Sequence, residues 1–582
     1  MKKLMLGNEA IARGLYEAGC TLVSSYPGTP STEITEYAAL YEEIFAEWAP
    51  NEKVSAEVAF GAALAGSRAF CGMKHVGLNV AADLLFTASY TGINGGLVIA
   101  VADDPGMHSS QNEQDSRYYA IASKVPMLEP ADSAECIEYT KRAFELSEEF
   151  DTPVIVRLST RISHSQSVVN LSERQEFSQK PYEKNPSKYV MMPGAARQRH
   201  IFVEARTKKL IEMAEVSDIN SVEMGGDIGI ITSGVSYQYA KEALGDKASY
   251  LKLGMVNPLP EDLIRDFAAK FKKVYVIEEL DPIIENHCKT LGISVTGKEI
   301  FSLLGEYTST EIAKQILGKH TEFRVIEEHV PVRPPVLCAG CPHRGIFYVM
   351  SKMKLFVSGD IGCYTLAAQA PINAMDTTIC MGASVSALHG FNKARGEKSE
   401  GKSVGVIGDS TFIHSGITGL IDIAYNGSNS VVVILDNSIT GMTGHQHNPT
   451  TGYTLKGDAA NAVDLEALCN AIGINRVVVV DPFDIAGCER VLKEELAAKE
   501  PSVIIARRPC ALLKSVKILP TLYIDNEKCR QCGQCQKMGC PAIKNSDGVL
   551  TIVETICTGC GVCKKVCKFD AISGEGKSHG CE

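Results

Sequence analysis

Eight of the chain's twenty cysteines fall between residues 529 and 567, and no other stretch restricts the fold so much. Their order is Cys529-x2-Cys532-x2-Cys535-x4-Cys540-Pro541, then Cys557-x2-Cys560-x2-Cys563-x3-Cys567. Closely spaced thiolates let one turn of backbone wrap a cubane, and the distant fourth cysteine of each run ligates the other cluster. The spacing therefore predicts two [4Fe–4S] clusters. Cys529, Cys532, Cys535 and Cys567 hold one; Cys557, Cys560, Cys563 and Cys540 hold the other. A zinc ribbon also uses C-x2-C pairs, but triplets of this kind fit tetrahedral zinc poorly. In a reducing compartment such a cluster means metal rather than disulfide. Two adjacent clusters carry electrons, so a redox source is expected upstream.

The remaining length leaves room for several domains: 582 residues predict about three to five. The net charge of −11 argues against nucleic acid and against an anionic membrane surface as partners. No apolar run approaches a membrane span. The apolar start of MKKLMLGNEA stops at Gly7-Asn8-Glu9, unlike a secretory signal. A cytosolic protein is expected. Residues 1–180 read as a first α/β domain and 181–225 as a polar, irregular connecting segment. Residues 226–320 read as a second α/β domain and 321–336 as a linker with a Pro-rich end. A third α/β domain covers 337–515, and the cysteine-rich tail covers 520–582. No short-period repeat and no low-complexity tract is visible.

Ser403 to Asn437, SVGVIGDSTFIHSGITGLIDIAYNGSNSVVVILDN, is the stretch around which the third domain is organised. Two short β-branched runs flank a helical pattern (Ile417, Leu420, Ile421, Ala424) closed by Asn426-Gly427. This is one βαβ unit with two buried parallel strands. Asp409 and Asn437 stand at the carboxyl ends of those strands, where α/β sheets bind ligands. A carboxylate and an amide carbonyl there suit Mg²⁺, which takes oxygen ligands and completes its shell with phosphate. An ordinary strand end with a capping Asp is the other reading.

Two further patterns carry less. Gly396 to Ser403, GEKSEGKS, fits the phosphate-loop expression, but that loop needs a strand before it and a helix after it. Here the order is reversed and the interior glutamates would repel phosphate, so a solvated loop is expected. The one tryptophan, Trp48, is read as packing.

Gly408-Asp409-Ser410, followed a βαβ unit later by Asp436-Asn437, resembles the thiamine diphosphate motif (G-D-G, then N-N). Ser410 and Asp436 are departures from it. The resemblance implies that Asp409, the Asn437 side chain and the Ile439 carbonyl hold Mg²⁺ on the diphosphate, with Gly408 opening the motif. The tail resembles bacterial two-cluster ferredoxins over about 50 residues, apart from the x4 gap before Cys540 and Lys568 in place of proline. The chain as a whole resembles the 2-oxoacid:ferredoxin oxidoreductases. The matching stretches are YPGTPSTEI, KHVGLNVAAD, ADDPGMHSSQNEQDSR, CAGCPHRG, GDIGCYTL, GDSTFIHSGITG and DNSITGMTGHQ. It looks most like the large (alpha) subunits that act on aryl pyruvates such as indolepyruvate.

That resemblance implies a multidomain α/β fold with a pyrimidine-binding domain at 1–180 and a transketolase C-terminal-like domain at 226–320. A diphosphate-binding domain at 337–515 and a two-cluster ferredoxin-like domain at 520–582 follow. The implied reaction converts an aryl pyruvate, CoA and two oxidised ferredoxins into acyl-CoA, CO₂ and reduced ferredoxin. Pyruvate, 2-oxoglutarate or branched-chain oxoacids are the alternative substrates. A non-redox thiamine-dependent decarboxylase and an electron-transfer subunit with a degenerate thiamine fold are the alternative chemistries. The implied cofactors are thiamine diphosphate, Mg²⁺ and the two [4Fe–4S] clusters. The implied partners are a smaller (beta) subunit and external ferredoxin. The residues themselves give no physical reason to prefer an aromatic substrate.

Carried over residue by residue, the resemblance makes Glu57 the carboxylate that bonds the aminopyrimidine ring, with Glu52 as its rival. Thr29 and Thr32 touch substrate or pyrimidine, or only form a turn and cap a helix. Arg117 clamps the substrate carboxylate, or is an ordinary surface or ion-paired arginine. His108, His343, His414, His445 and His447 lie in or near matching motifs and are each read as structural. Cys338, Cys341, Cys363 and Cys510 resemble the positions of a third cluster between thiamine and the tail. Their alternative is buried free thiols.

Overall fold

Runs of β-branched residues buried on both faces build the two large sheets. Val431–Asp436 (VVVILD) and Gly96–Asp103 (GLVIAVAD) are buried at every position, as parallel strands covered by helices must be. Each fully buried Val, Ile or Leu contributes about 1.5–3 kcal/mol. The computed structural model describes residues 1–322 and 328–574. Residues 323–327 of the expected linker and 575–582 of the expected tail, Cys581 among them, lie outside the described residues. The chain divides into two compact units, 1–327 and 328–582.

In the first unit a seven-stranded sheet runs in the order Met255–Asn257, Met127–Leu128, Val154–Ser159, Gly96–Asp103, Arg68–Lys74, Leu22–Ser25, Phe45–Trp48. All neighbours are parallel except the first pair, which is antiparallel. The outermost strand comes from the 226–320 stretch, which thus completes the first sheet. The same stretch builds a second sheet, Lys273–Ile277, Ile228–Thr232, Ala248–Lys252, Ser221–Glu223. Trp48 ends its strand half-buried.

The expected irregular segment 181–225 is different in the structure. It contains a 24-residue helix, Pro193–Val216, that buries Val203, Arg206, Leu210 and Ala214. Those positions, three to four apart, form one narrow stripe. Arg206 donates to the Ser89 and Asp151 carbonyls, which fastens the helix to the first sheet's helices. The polar composition concealed it because the buried stripe includes an arginine.

In the second unit six strands, all parallel, run in the order Thr377–Thr378, Phe356–Gly359, Ser403–Gly408, Val431–Asp436, Ser502–Arg507, Arg476–Val480. The βαβ unit is Ser403–Gly408, the helix Ile417–Asn426 and Val431–Asp436. Residues 396–403 form a turn between the helix Ala383–Arg395 and that first strand, so the phosphate-loop pattern lacks its strand-then-helix setting. The tail has two antiparallel pairs, Tyr523–Ile524 with Ile572–Ser573 and Ile543–Ser546 with Val549–Ile552. It is fastened to the six-stranded domain by Phe483, Met538 and Val562 and by Lys565 Nζ donating to the Phe483 carbonyl at 3.0 Å.

Candidate active site and cysteine clusters

The carboxyl ends of the six-stranded sheet gather the second unit's polar groups. Asp360 and Asp409 follow neighbouring parallel strands, and both are buried. Asp360 accepts from three backbone amides, Ile361 (2.8 Å), Gly382 (2.9 Å) and Ser384 (3.0 Å), and so holds the start of the helix Ala383–Arg395. Asp409 accepts from the Ser410 amide at 2.7 Å through Oδ1, while its Oδ2 is buried without a hydrogen-bond partner. Burial first, and then the neighbouring Asp436, push its carboxyl up to about 7; the amides of Ser410, Ser438 and Ile439 oppose this. An uncompensated buried carboxylate is costly, and a divalent cation would remove the cost. The donor set fits Mg²⁺ on this ground.

Asn437 and Ile439 are buried beside it, in a turn whose middle residue, Ser438, has φ of 59°. A non-glycine residue in that region marks stored strain, which clusters at binding loops. Tyr364, buried at the same edge, accepts from the Gly408 amide at 3.0 Å and donates to the Ile361 carbonyl at 2.9 Å. It connects the loop before Cys363 to the motif glycine.

Cys363 and Cys510 lie against this strand end. The Cys510 amide donates to the Asn437 carbonyl at 2.9 Å. A Cβ on Gly441 would sit 3.6 Å from the Cys363 sulfur and 3.9 Å from the Asn437 amide nitrogen. Cys338 and Cys341 close a turn, with the Cys341 amide on the Cys338 carbonyl. Burial, then neighbouring thiols, push Cys341, Cys363 and Cys510 up. Cys341 reaches about 12 and feels Cys338 and Cys363; Cys363 feels Cys510 and Cys338; Cys510 feels Cys338. Cys338 thus lies within electrostatic reach of Cys341, Cys363 and Cys510, and Cys363 within reach of Cys341 and Cys510. His445 Nε2 lies 3.9 Å from the Cys510 sulfur.

The tail collects its cysteines in two cavities. One is lined by Cys529, Cys532, Cys535 and Cys567 together with Ile524, Leu550 and Ile572. The other is lined by Cys540, Cys557, Cys560 and Cys563, and also by Ala339 and Gly340 of the Cys338–Cys341 turn. Burial and its neighbours Cys560, Cys540, Cys557 and Cys535 push Cys563 up to about 12, so the two cavities adjoin. The Gln531 and Gly559 amides each lie 3.4 Å from a cysteine sulfur, those of Cys529 and Cys557.

Two first-unit expectations are corrected. Glu57 lies on an exposed helix face, paired with Lys53. The buried glutamate is its rival Glu52, 4% exposed, the first residue of the helix Glu52–Leu64 that Asn51 caps through Val54. Its Oε1 is 2.7 Å from where a Cβ on Gly77 would stand, so any larger residue there would displace the Glu52 side chain. Arg117 is 1% exposed and committed to internal partners: Asp115 in a two-pronged ion pair, Glu278 at 2.5 Å, and the carbonyls of Glu279 and Asp281. Burial raises the Asp115 carboxyl, but Arg117 and Arg157 overcome it and hold it at about 2. Arg117 therefore locks a loop to the 226–320 stretch, with its guanidinium held by these internal partners.

Thr29 is half-buried. Thr32 is the first residue of its helix, and its hydroxyl is buried without a hydrogen-bond partner, so it is not the cap. His108 pairs with Glu306 and His447 with Thr451. His414 lies 2.5 Å from the Ser415 hydroxyl. Burial pushes the His343 ring down to about 4. The reading from sequence missed Asp360, Tyr364, Lys74 and Arg344. Lys74 is half-buried, donates to the Ser109 carbonyl at 3.0 Å, and feels the charges of Asp104 and Glu52. The CAGCPHRG and KHVGLNVAAD stretches were the available signals for the last two.

Comparison with known families agrees with this layout. Residues 13–224 match the thiamine-diphosphate-binding family of pyruvate flavodoxin/ferredoxin oxidoreductases, and 360–506 match the C-terminal binding domain of thiamine pyrophosphate enzymes. Residues 550–573 match a 4Fe-4S binding domain. The chain is a thiamine diphosphate and iron–sulfur protein. An indolepyruvate oxidoreductase subunit IorA of Archaeoglobus fulgidus is 41% identical over 98% of this chain and 97% of its own length. That of Pyrococcus horikoshii is 39% identical over 98% and 96%. A 2-oxoglutarate synthase subunit KorA of Archaeoglobus fulgidus is 26% identical over 51% of this chain. The chain belongs to the indolepyruvate oxidoreductase IorA family, within the 2-oxoacid:ferredoxin oxidoreductases.

Proposed function

We propose that this chain oxidatively decarboxylates aryl pyruvates. An aryl pyruvate, CoA and two oxidised ferredoxins give aryl-acyl-CoA, CO₂, two reduced ferredoxins and a proton. When bound, thiamine diphosphate supplies the carbon nucleophile and electron sink, and [4Fe–4S] clusters supply one-electron carriers. The observation that carries the reading is the Cys510 amide on the Asn437 carbonyl. It ties Cys510, one of the four candidate cluster cysteines, to the strand end that suits a metal diphosphate, which supports this reading.

In this reading Asp409, Asn437 and the Ile439 carbonyl hold Mg²⁺, and Tyr364 keeps Gly408 in register with the Cys363 loop. Cys338, Cys341, Cys363 and Cys510 hold a third cluster. The set of Cys540, Cys557, Cys560 and Cys563 comes next, and that of Cys529, Cys532, Cys535 and Cys567 is the exit toward ferredoxin. In the first unit Glu52 bonds the aminopyrimidine. Lys74, a cation with no carboxylate bound to it among the described residues, takes the substrate carboxylate in place of Arg117. Lys74→Met should raise KM for the oxoacid about tenfold with kcat little changed; an unchanged KM would return Lys74 to a structural role. A smaller subunit completes the enzyme.

The test is anaerobic dye reduction by the chain co-expressed with that subunit. Indolepyruvate, phenylpyruvate, pyruvate and 2-oxoglutarate are compared, each with and without CoA. CoA-dependent reduction by the aryl pyruvates alone is expected. Reduction by pyruvate or 2-oxoglutarate instead would reject the substrate class. Free aldehyde without reduction would favour a non-redox decarboxylase.

A further inference from the structure

A buried arginine with no carboxylate partner stands between two of the cysteine sets. Arg344, in the first turn of the helix His343–Met353, is 3% exposed. Its Nη2 donates to the Leu337 and Cys338 carbonyls at 2.6 and 2.8 Å, and its Nη1 to the Met538 carbonyl at 2.7 Å. One side of the guanidinium thus binds the turn that carries Cys338 and Cys341. The other binds the turn that leads to Cys540. Gly539, at φ of 65°, lets the Met538 carbonyl face it: a Cβ on Gly539 would be 3.5 Å from Nη1 and 3.2 Å from Pro371.

The charge balance is unusual. Among the described residues no carboxylate ion-pairs with Arg344, and its Nε is buried without a hydrogen-bond partner. Buried cations are ordinarily paired, because desolvation is otherwise uncompensated. Carbonyl dipoles alone leave the net positive charge in place. The groups the guanidinium holds lie next to cluster ligands: the carbonyl of Cys338 itself, that of Leu337 just before it, and that of Met538 two residues before Cys540. A [4Fe–4S] cluster held by four thiolates is an anion in both of its working redox states.

We propose that Arg344 is the counter-charge shared by the third cluster and the Cys540 cluster, a positioning residue that holds their two loops together and raises both reduction potentials. A nearby positive charge favours the more negative, reduced form of each cluster. The electron lands on two neighbouring sites made attractive by one side chain, while the Cys529 cluster, beyond the Cys540 set, keeps its own potential. The inference rests on the reading that Cys338, Cys341, Cys363 and Cys510 hold a cluster.

The test is an EPR-monitored redox titration of the intact complex, with iron counted in the same samples, for wild type, Arg344→Met and Arg344→Lys. In Arg344→Met with wild-type iron, the reduced-to-oxidised ratio at fixed potential should fall about tenfold at the third and Cys540 clusters, about 59 mV for one electron. The Cys529 cluster should stay in place. Arg344→Lys keeps the charge and should stay close to wild type, and it decides the matter if the methionine variant loses iron. Unshifted potentials in a fully loaded Arg344→Met, or an equal shift of all three clusters in either variant, would overturn the inference. About eight irons per wild-type chain instead of about twelve would remove the third cluster itself, a failure distinct from unshifted potentials.

Discussion

Asp360 and Asp409 follow adjacent strands of one sheet and are equally buried, yet they do opposite work. Asp360 is satisfied by three amides of its own fold. Asp409 has an oxygen with no partner and a second carboxylate beside it. The two buried arginines differ in the same way. Arg117 is surrounded by Asp115, Glu278 and two carbonyls, and Arg344 meets carbonyls alone. A buried charge satisfied from within is part of the scaffold. One left unbalanced indicates what the site is built to bind.

Substitutions sharpen that difference. Asp409→Asn should lower cofactor retention and turnover by more than about 100-fold, read as thiamine content after gel filtration. Asp360→Asn should instead keep thiamine affinity near wild type and lose about 1–3 kcal/mol of stability. Equal loss of thiamine in both would erase the distinction. Glu52→Gln should cost about 100-fold in kcat, and Glu57→Gln should leave kcat unchanged and stability within about 0.5 kcal/mol. The reverse order would restore Glu57 to the site. Arg117→Met strips the partner from buried carboxylates and should destabilise by about 3–5 kcal/mol in thermal melts, with KM for the oxoacid unaltered. A raised KM in well-folded protein would revive the substrate clamp.

The smallest effect is one of pH. The Asp409 carboxyl sits at about 7 in the folded chain, above the usual Asp value near 3.9. Between those values the native state binds the extra proton, so the metal-free chain loses stability as pH rises from about 4 to about 7. Mg²⁺ must displace that proton, so its affinity should fall about tenfold per pH unit below about 7. Magnesium titrations at pH 6 and pH 8 with equal affinity would contradict this.

The sequence made the second unit legible because its signals are local. The β-branched runs of the βαβ unit and the eight tail cysteines lie within short stretches, and the cavities collect the cysteines in the sets their spacing predicts. Glu57 was preferred over Glu52 because motif position does not report burial. Residues five apart on a helix are about 140° apart, so one faces inward and the other outward. Arg117 could be read only as far as Asp115, two residues away; Glu278 is 161 positions distant and arrives through the tertiary fold. Arg344 is legible only once Met538, 194 positions away, is seen beside it.

If Cys338, Cys341, Cys363 and Cys510 hold a cluster, it should wire the strand end of Asp409 and Asn437 to the tail. Freeze-quench EPR on wild type and Cys510→Ser, mixed with aryl pyruvate and CoA in the intact complex, tests it most directly. Rapid reduction of both tail clusters is expected in wild type. In Cys510→Ser, with about eight irons and full thiamine content, the tail clusters should stay oxidised. Tail clusters reduced at the wild-type rate in that variant would contradict it.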